Sequence, residues 1–189
     1  MMQGGLPKRL FDLVLASIAF VVLLPLMLLV AVAIKATDPG PVIFRQQRVG
    51  RGGRIFEFLK FRSMPVNTGN TPSDQLSEIY LSPIGRLIRR TNVDELPQLV
   101  NILRGDMSIV GPRPPITSQS DLIELRRANG ALNCRPGLTG WAQINAFDGM
   151  SVVRKAELDG DYAARISLRR DIVIILRTFG YLLKPPPKY

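Results

Sequence analysis

The chain contains no histidine. That absence removes imidazole general bases, Ser-His-Asp triads and histidine-ligated metals together. Cysteine is nearly absent too. The single Cys134 excludes an intrachain disulfide and a cysteine-only zinc site, and it fits a reducing compartment. Acids are scarce: 15 Asp and Glu stand against 25 Lys and Arg, for a net charge of +10. An excess of this size calls for an acidic partner, whether nucleic acid, an anionic membrane surface or a phosphorylated substrate. What remains for chemistry is carboxylates, Lys, Arg, hydroxyls and a hard, oxygen-liganded metal. At 189 residues and 46% apolar, the chain makes about one domain, large enough to bury a core and too apolar to be disordered.

What is present begins with a long apolar run. From Leu10 to Ile34 only Asp12, Ser17 and Pro25 are not apolar, and Leu13 to Ile34 carries no charge. By length this segment reaches across a bilayer. A cleaved signal peptide fits poorly, because the run continues into Lys35 with no A-x-A-like site. A core helix apolar all round is out of place in a domain of this size. Pro25, near the middle, removes one backbone hydrogen bond and predicts a kink. Lys8 and Arg9 precede the run, while Lys35, Arg45, Arg48, Arg51 and Arg54 follow it, so the positive-inside rule draws both ends to the cytoplasm. A re-entrant helix over 10–34, broken at Pro25, satisfies both.

The rest reads as short strands and several helices. Val42–Phe44 and Ile55–Phe61 are predicted strands on either side of a basic glycine turn. Residues 65–76 form a polar loop, and Gln75–Arg90 is predicted helical with a break at Pro83. Asn92–Arg104 is predicted as one helix, capped by Asn92 with Glu95 completing a capping box and Gly105 ending it. Ser108–Val110 is a short strand, Asp121–Ala131 a helix, and Arg135–Ile144 a glycine-rich loop carrying the only tryptophan, Trp141. Leu168–Leu183 reads as a basic amphipathic helix on a membrane surface.

Asp94 and Glu95 are adjacent acids in a predicted first turn. Read blandly, they complement the helix dipole. With Arg89 and Arg90 just before them, they also suit a metal-holding or nucleophilic carboxylate kept ionised by the helix N-terminus. Arg113 is flanked by Pro112 and Pro114, after Gly111, and is held out on a stiff loop for bidentate phosphate contact; a solvated proline turn is the plain alternative. Lys60 and Arg62 alternate on one strand face and could clamp a diphosphate, or simply be solvated.

Four segments follow in order: Lys60-Phe61-Arg62-Ser63-Met64, Asp94-Glu95-Leu96-Pro97-Gln98-Leu99, Gly105-Asp106-Met107-Ser108-Ile109-Val110-Gly111-Pro112-Arg113-Pro114, and Arg135-Pro136-Gly137-Leu138-Thr139-Gly140-Trp141-Ala142-Gln143. Together they resemble the bacterial sugar transferase family, the monotopic polyprenyl-phosphate phosphoglycosyl transferases. The likeness runs from Lys8-Arg9-Leu10-Phe11-Asp12 to about Leu183, and it is to the small members, a bare catalytic domain. The resemblance implies transfer of a sugar-1-phosphate from a UDP-sugar, with an N-acetylated amino sugar expected and UDP-glucose or UDP-galactose as alternatives. The acceptor is undecaprenyl phosphate and UMP is released. It implies a ping-pong route in which Asp94 is the nucleophile and Glu95 helps hold Mg²⁺ with it. Lys60, Arg62, Arg89 and Arg113 match phosphate-holding positions, in a substrate site that takes in Gly111, Pro112 and Asp159. It implies the proline-broken re-entrant helix, a bacterial inner membrane with the catalytic part in the cytoplasm, a possible homodimer and downstream glycosyltransferases. Two departures stand out: Leu24 precedes Pro25 where some relatives have Ser, and Ile144-Asn145-Ala146-Phe147-Asp148 replaces a common Val-Asn-Gly-Arg.

The expected fold is therefore α/β, mostly helical with short strands, as one domain over 1–189 with its cytoplasmic part at 42–189. A non-catalytic membrane scaffold is a remote alternative. Nucleic-acid binding rests on charge alone and is disfavoured by the apolar run and the absence of a nucleic-acid motif.

Overall fold

The computed structural model describes residues 5–65, 82–147 and 149–182. It is mostly helical, with four short strands in two separate pairs. Helix α1 runs over Gly5–Thr37, with Pro25 inside it. Its 33 residues extend about 50 Å at 1.5 Å per residue. It starts earlier than the apolar run because its first turns are tied down. Lys8 donates to Asp171 at 2.6 Å, and Arg9 donates to the carbonyls of Ile102 and Leu103 at 2.8 and 3.2 Å. The expected break at Pro25 is not seen. A proline deletes one hydrogen bond from the ladder, and the turns on either side keep theirs.

One stripe of α1 faces the domain. Asp12, Ala16, Val30 and Ile34 are buried, whereas Leu10, Val14, Ile18, Val21, Val22, Leu28, Leu29 and Val32 are all more than half exposed. In water each such side chain forgoes more than half of the roughly 1.5–3 kcal/mol that full burial gives, so this face belongs against lipid. Among the described residues α1 is the one helix long and apolar enough to cross a membrane.

Strands β1 (Ile43–Val49) and β2 (Ile55–Phe61) form an antiparallel hairpin in register Ile43↔Phe61 to Val49↔Ile55. Helix α2 (Pro83–Arg90) begins where a break was expected: Pro83 is the first helical residue, and Ser82 accepts from the Gly85 N–H at 3.0 Å. The expected helical residues before Ser82, and the polar loop after Pro65, lie outside the described residues.

Asn92–Arg104 is not one helix. Val93–Glu95 is a single 3₁₀ turn, and helix α3 is Gln98–Arg104. Pro97 causes the split. It has no N–H for the Val93 carbonyl, so Leu96 N–H closes on that carbonyl instead, at 3.2 Å. Asn92 does not cap; it sits in the left-handed region at φ 54°.

Strand β3 (Ser108–Val110) pairs in parallel with β4 (Gly137–Thr139), which lies inside the expected glycine-rich loop, as does the short helix α5 (Trp141–Ile144). Helix α4 is Ser120–Ala128, shorter at its end than expected because the chain turns left-handed at Gly130. Helix α6 (Val152–Ala164) has no counterpart in the sequence reading, and α7 is Leu168–Leu182. The main core gathers Phe58, Leu99, Ile102, Met107, Val110, Tyr162 and Ile174 against Ala16 of α1. A second cluster joins Val30 and Ile34 to Phe61 and Ile88, with Val93 and Leu96 packed on it. The turn bearing Asp94 and Glu95 is thus seated on the membrane helix.

Candidate active site

Four of the residues singled out in the sequence converge. Lys60, near the end of β2, donates to Glu95 Oε1 at 2.8 Å and lies 3.7 Å from Asp94 Oδ2. Arg113 grips Glu95 with both terminal nitrogens, at 2.6 Å to Oε1 and 3.3 Å to Oε2. This is the bidentate geometry for which guanidinium is suited. Burial alone would raise the Glu95 carboxyl. Arg113 and Lys60 outweigh it and hold Glu95 well below the usual carboxylate range. Glu95 is therefore a fixed anion that positions two cations.

Asp94 differs in its hydrogen bonding and in the direction of its pKa shift. It is 6% exposed, and no donor among the described residues hydrogen-bonds it. Burial pushes its carboxyl up, with Glu95 adding to the effect, against the pull of Lys60, Arg113 and Arg89. The sequence reading had the helix N-terminus keeping this acid ionised. The 3₁₀ turn supplies no such terminus, and desolvation dominates instead. A carboxylate short of donors is the more nucleophilic for it.

The loop that presents Arg113 is held by close backbone packing. Gly111 N–H donates to Thr139 O and Gly137 N–H to Pro112 O, each at 2.9 Å. A Cβ on Gly111, Gly137 or Gly140 would strike the facing backbone. Gly111 and Pro112 are thus placed to seat Arg113. From the other side, Arg126 donates to the Arg113 carbonyl at 2.8 Å while pairing with Asp159, and both charged side chains are almost wholly buried. Asp159 joins the site through that relay and not by facing the acid pair.

Arg62 is also elsewhere. It lies past the end of β2 and turns to the carbonyl and carboxylate of Asp38, so it does not share a clamp with Lys60. Arg89 acts on Asp94 through its charge.

Two residues of the site escaped the sequence reading. Arg48, on β1, donates to Pro114 O at 3.1 Å and stacks over the Phe58 ring, 5.3 Å from its centroid. Burial and the neighbouring Arg113 lower its pKa to about 10. Arg126 could have been found. It sits one turn after Leu122 on the inward face of α4, and a buried arginine demands an acid.

Two carboxylates flanked by cations form no cage for a metal: among the described residues no cluster of three or more acidic, His or Cys ligands exists. The donor set nevertheless suits Mg²⁺, which is commonly held by one or two carboxylates together with substrate phosphates.

A cation-ringed carboxylate pair seated on a lipid-facing helix defines a membrane-associated enzyme for phosphate-bearing substrates. The comparisons agree. The chain belongs to the bacterial sugar transferase family, whose model matches residues 4–185. It is 41% identical, over 97% of its length and 72% of the relative, to the UDP-glucose:undecaprenyl-phosphate glucose-1-phosphate transferase of Caulobacter vibrioides. It is 35% identical to the exopolysaccharide production protein ExoY of Sinorhizobium fredii, over 93% of this chain and 84% of that one. It is 39% identical to the UDP-N-acetylgalactosamine-undecaprenyl-phosphate N-acetylgalactosaminephosphotransferase of Aeromonas hydrophila, over 93% of this chain and 43% of that one.

Proposed function

We propose that this polyprenyl-phosphate sugar-1-phosphate transferase moves a hexose-1-phosphate from a UDP-sugar to undecaprenyl phosphate, releasing UMP. The observation that carries the reading is Asp94, a buried carboxylate that no donor among the described residues hydrogen-bonds, beside two cations fixed by Glu95. Lys60, Arg113 and Arg89 neutralise the donor diphosphate as it meets the acid pair. An Asp94 oxygen attacks the sugar-bearing phosphorus, a new P–O bond forms, and the bond to the UMP phosphate breaks. An oxygen of undecaprenyl phosphate then attacks the same phosphorus and frees the Asp94 carboxylate. Mg²⁺ held by Asp94 and Glu95 would add positive charge against the diphosphate oxygens.

The donor we favour is UDP-glucose, the substrate in the names of the Caulobacter relative and of one from Xanthomonas campestris. The N-acetylated amino sugar expected from the sequence stays as a second reading, on the Aeromonas relative.

The membrane geometry we propose rests on α1. Asp12 near its start and Ile34 near its end are both buried against one polar domain. A domain that cannot enter lipid cannot hold both ends of a straight span, so we read both ends as lying on the cytoplasmic face; the bend this requires in the bilayer would fall at Pro25, where α1 is continuous in the structure. Labelling of an N-terminal tag from the periplasm would overturn this.

The reaction is tested by UMP release in detergent, with Mg²⁺, undecaprenyl phosphate and a panel of UDP-sugars, for wild type and Asp94→Asn. UMP from UDP-glucose, lost in the variant, is the expected result. Release from no donor by well-folded protein overturns the reading.

A further inference from the structure

The first turns of α1 open onto a second charged pocket. It is a shallow pocket lined by Lys8, Arg9, Asp12, Arg51, Arg135 and Tyr162 among others. Lys8 is engaged by acids, bonded to Asp171 at 2.6 Å and lying 3.8 Å from Asp12. The three arginines form no such pair, although the Asp12 charge reaches Arg135. Among the described residues no carboxylate lies within ion-pair distance of Arg9, Arg51 or Arg135.

Each of these guanidiniums is anchored by part of its donor set to a backbone carbonyl. Arg9 bonds Ile102 O and Leu103 O, Arg51 Nε bonds Asn133 O at 3.1 Å, and Arg135 Nε bonds Gly105 O at 3.0 Å. Gly105 brings two of them together, because Arg9 Nη2 lies 3.5 Å from where a Cβ on Gly105 would stand. A guanidinium has five N–H donors, so anchoring leaves several on each arginine uncommitted. The crowding is felt: burial first, then the charges of Arg9 and Arg51, lower the pKa of Arg135. Capping the C-terminus of α3 accounts for part of this, since a helix end offers about half a negative charge. Three full positive charges converge here, and Arg51 is anchored to a different turn.

We propose that this pocket is a second phosphate-binding site, in which Arg9, Arg51 and Arg135 hold one phosphate group, separate from Asp94 and Glu95. Two sources present that chemistry. Leu6 and Leu10, on the same turns as Lys8 and Arg9, are 67% and 54% exposed. A lipid whose headgroup phosphate enters the pocket can therefore lay its chains along the apolar face of α1. Free phosphate offers the same group without the chains.

The test reads binding, not turnover. Full-length protein in neutral detergent is titrated with inorganic phosphate, with short-chain phosphatidylglycerol, and with a diacylglycerol of equal chain length as the phosphate-free control, and Tm is followed. The phosphate-bearing probe that binds raises the wild-type Tm by about 3 °C near tenfold saturation, and the diacylglycerol does not. Arg51→Gln and Arg135→Gln each lose more than half of that shift, Arg51→Lys keeps part of it, and surface Arg45→Gln keeps it all. A shift with phosphatidylglycerol alone assigns the site to a lipid headgroup; an equal shift with inorganic phosphate assigns it to a free anion. A shift unchanged in Arg51→Gln comes from the cations around Asp94 and overturns the proposal, as does no shift with any probe. Should Arg135→Gln fail to fold, Arg51→Gln, on the hairpin turn, decides alone.

Discussion

Asp12 and Asp94 are both buried carboxylates, 1% and 6% exposed, and both lie near a lysine. Asp12 is fully satisfied. It accepts from Ser108 Oγ at 2.8 Å and from Ile109 N–H at 3.1 Å, with Lys8 alongside. Lys8 goes on to Asp171, which also accepts from Tyr162 at 2.8 Å, so the network ties α1, β3, α6 and α7 together. Asp94 has charge nearby and, among the described residues, no donor on it. The same side chain is thus a structural tie in one place and, on the proposed reading, a reactive group in the other. The difference lies in how many donors the surrounding backbone and hydroxyls supply. An unpaired buried acid costs stability, and a fold keeps it where chemistry uses it.

The sharpest way to break this comparison is to neutralise each acid in turn. Asp94→Asn is expected to lower UMP release at least about a thousandfold, which is near 4 kcal/mol of barrier, without lowering Tm at pH 7. The sign follows from the raised carboxyl. The folded protein holds the Asp94 proton more tightly than the unfolded chain does. This group's stability is therefore present at low pH and is lost as pH rises from the ordinary aspartate value through the raised one. Asn never ionises and escapes that loss. Asp12→Asn is expected to do the reverse, costing about 2–4 kcal/mol of stability by unpairing a buried network. Activity per folded molecule should stay within a few-fold. Thermal denaturation and UMP assays on matched samples check both, and equal Tm losses in the two variants would erase the distinction.

A smaller effect sharpens it. Lys60 is the leading cation opposing the rise in the Asp94 pKa. Lys60→Met should therefore move the acid limb of the pH–rate profile to higher pH, besides lowering the rate by removing a phosphate contact. A profile unmoved by the substitution would mean that Asp94 is not the group titrating.

Much of this was legible in the sequence, and the reasons differ by element. The hairpin showed as two short apolar runs around Gly50, Gly52 and Gly53, because turn chemistry is local. Asp94, Glu95, Lys60 and Arg113 stood out through ordered motifs, and the structure brings them together. The long helix over Asn92–Arg104 was misread because its apolar spacing outweighed Pro97, whose missing N–H decides the local geometry. Arg62 and Asp159 were grouped with the site by motif. Their partners, Asp38 and Arg126, come from other parts of the chain and leave no local signal. Helix α6 went unseen because its buried residues, Ala156, Asp159, Tyr162 and Ala163, include only small or polar-tipped side chains.

The weakest expected effect separates distance from burial as the source of strength. Arg45 and Glu57 face each other across the hairpin at 3.1 Å, as close as many of the buried pairs, with side chains 65% and 47% exposed. In water the Coulomb gain is small and is offset by the entropy of holding two long side chains together. Arg45→Gln should therefore cost about 0.2–1 kcal/mol at low salt and still less at high salt, because exposed charges are screened. The Asp12 loss should barely depend on salt, since no counter-ion reaches a carboxylate that is 1% exposed. Tm measured at low and high salt for Arg45→Gln and Asp12→Asn puts the two side by side. Equal salt sensitivity would mean that the Asp12 network opens to solvent, and that its contrast with Asp94 is not one of burial and donors.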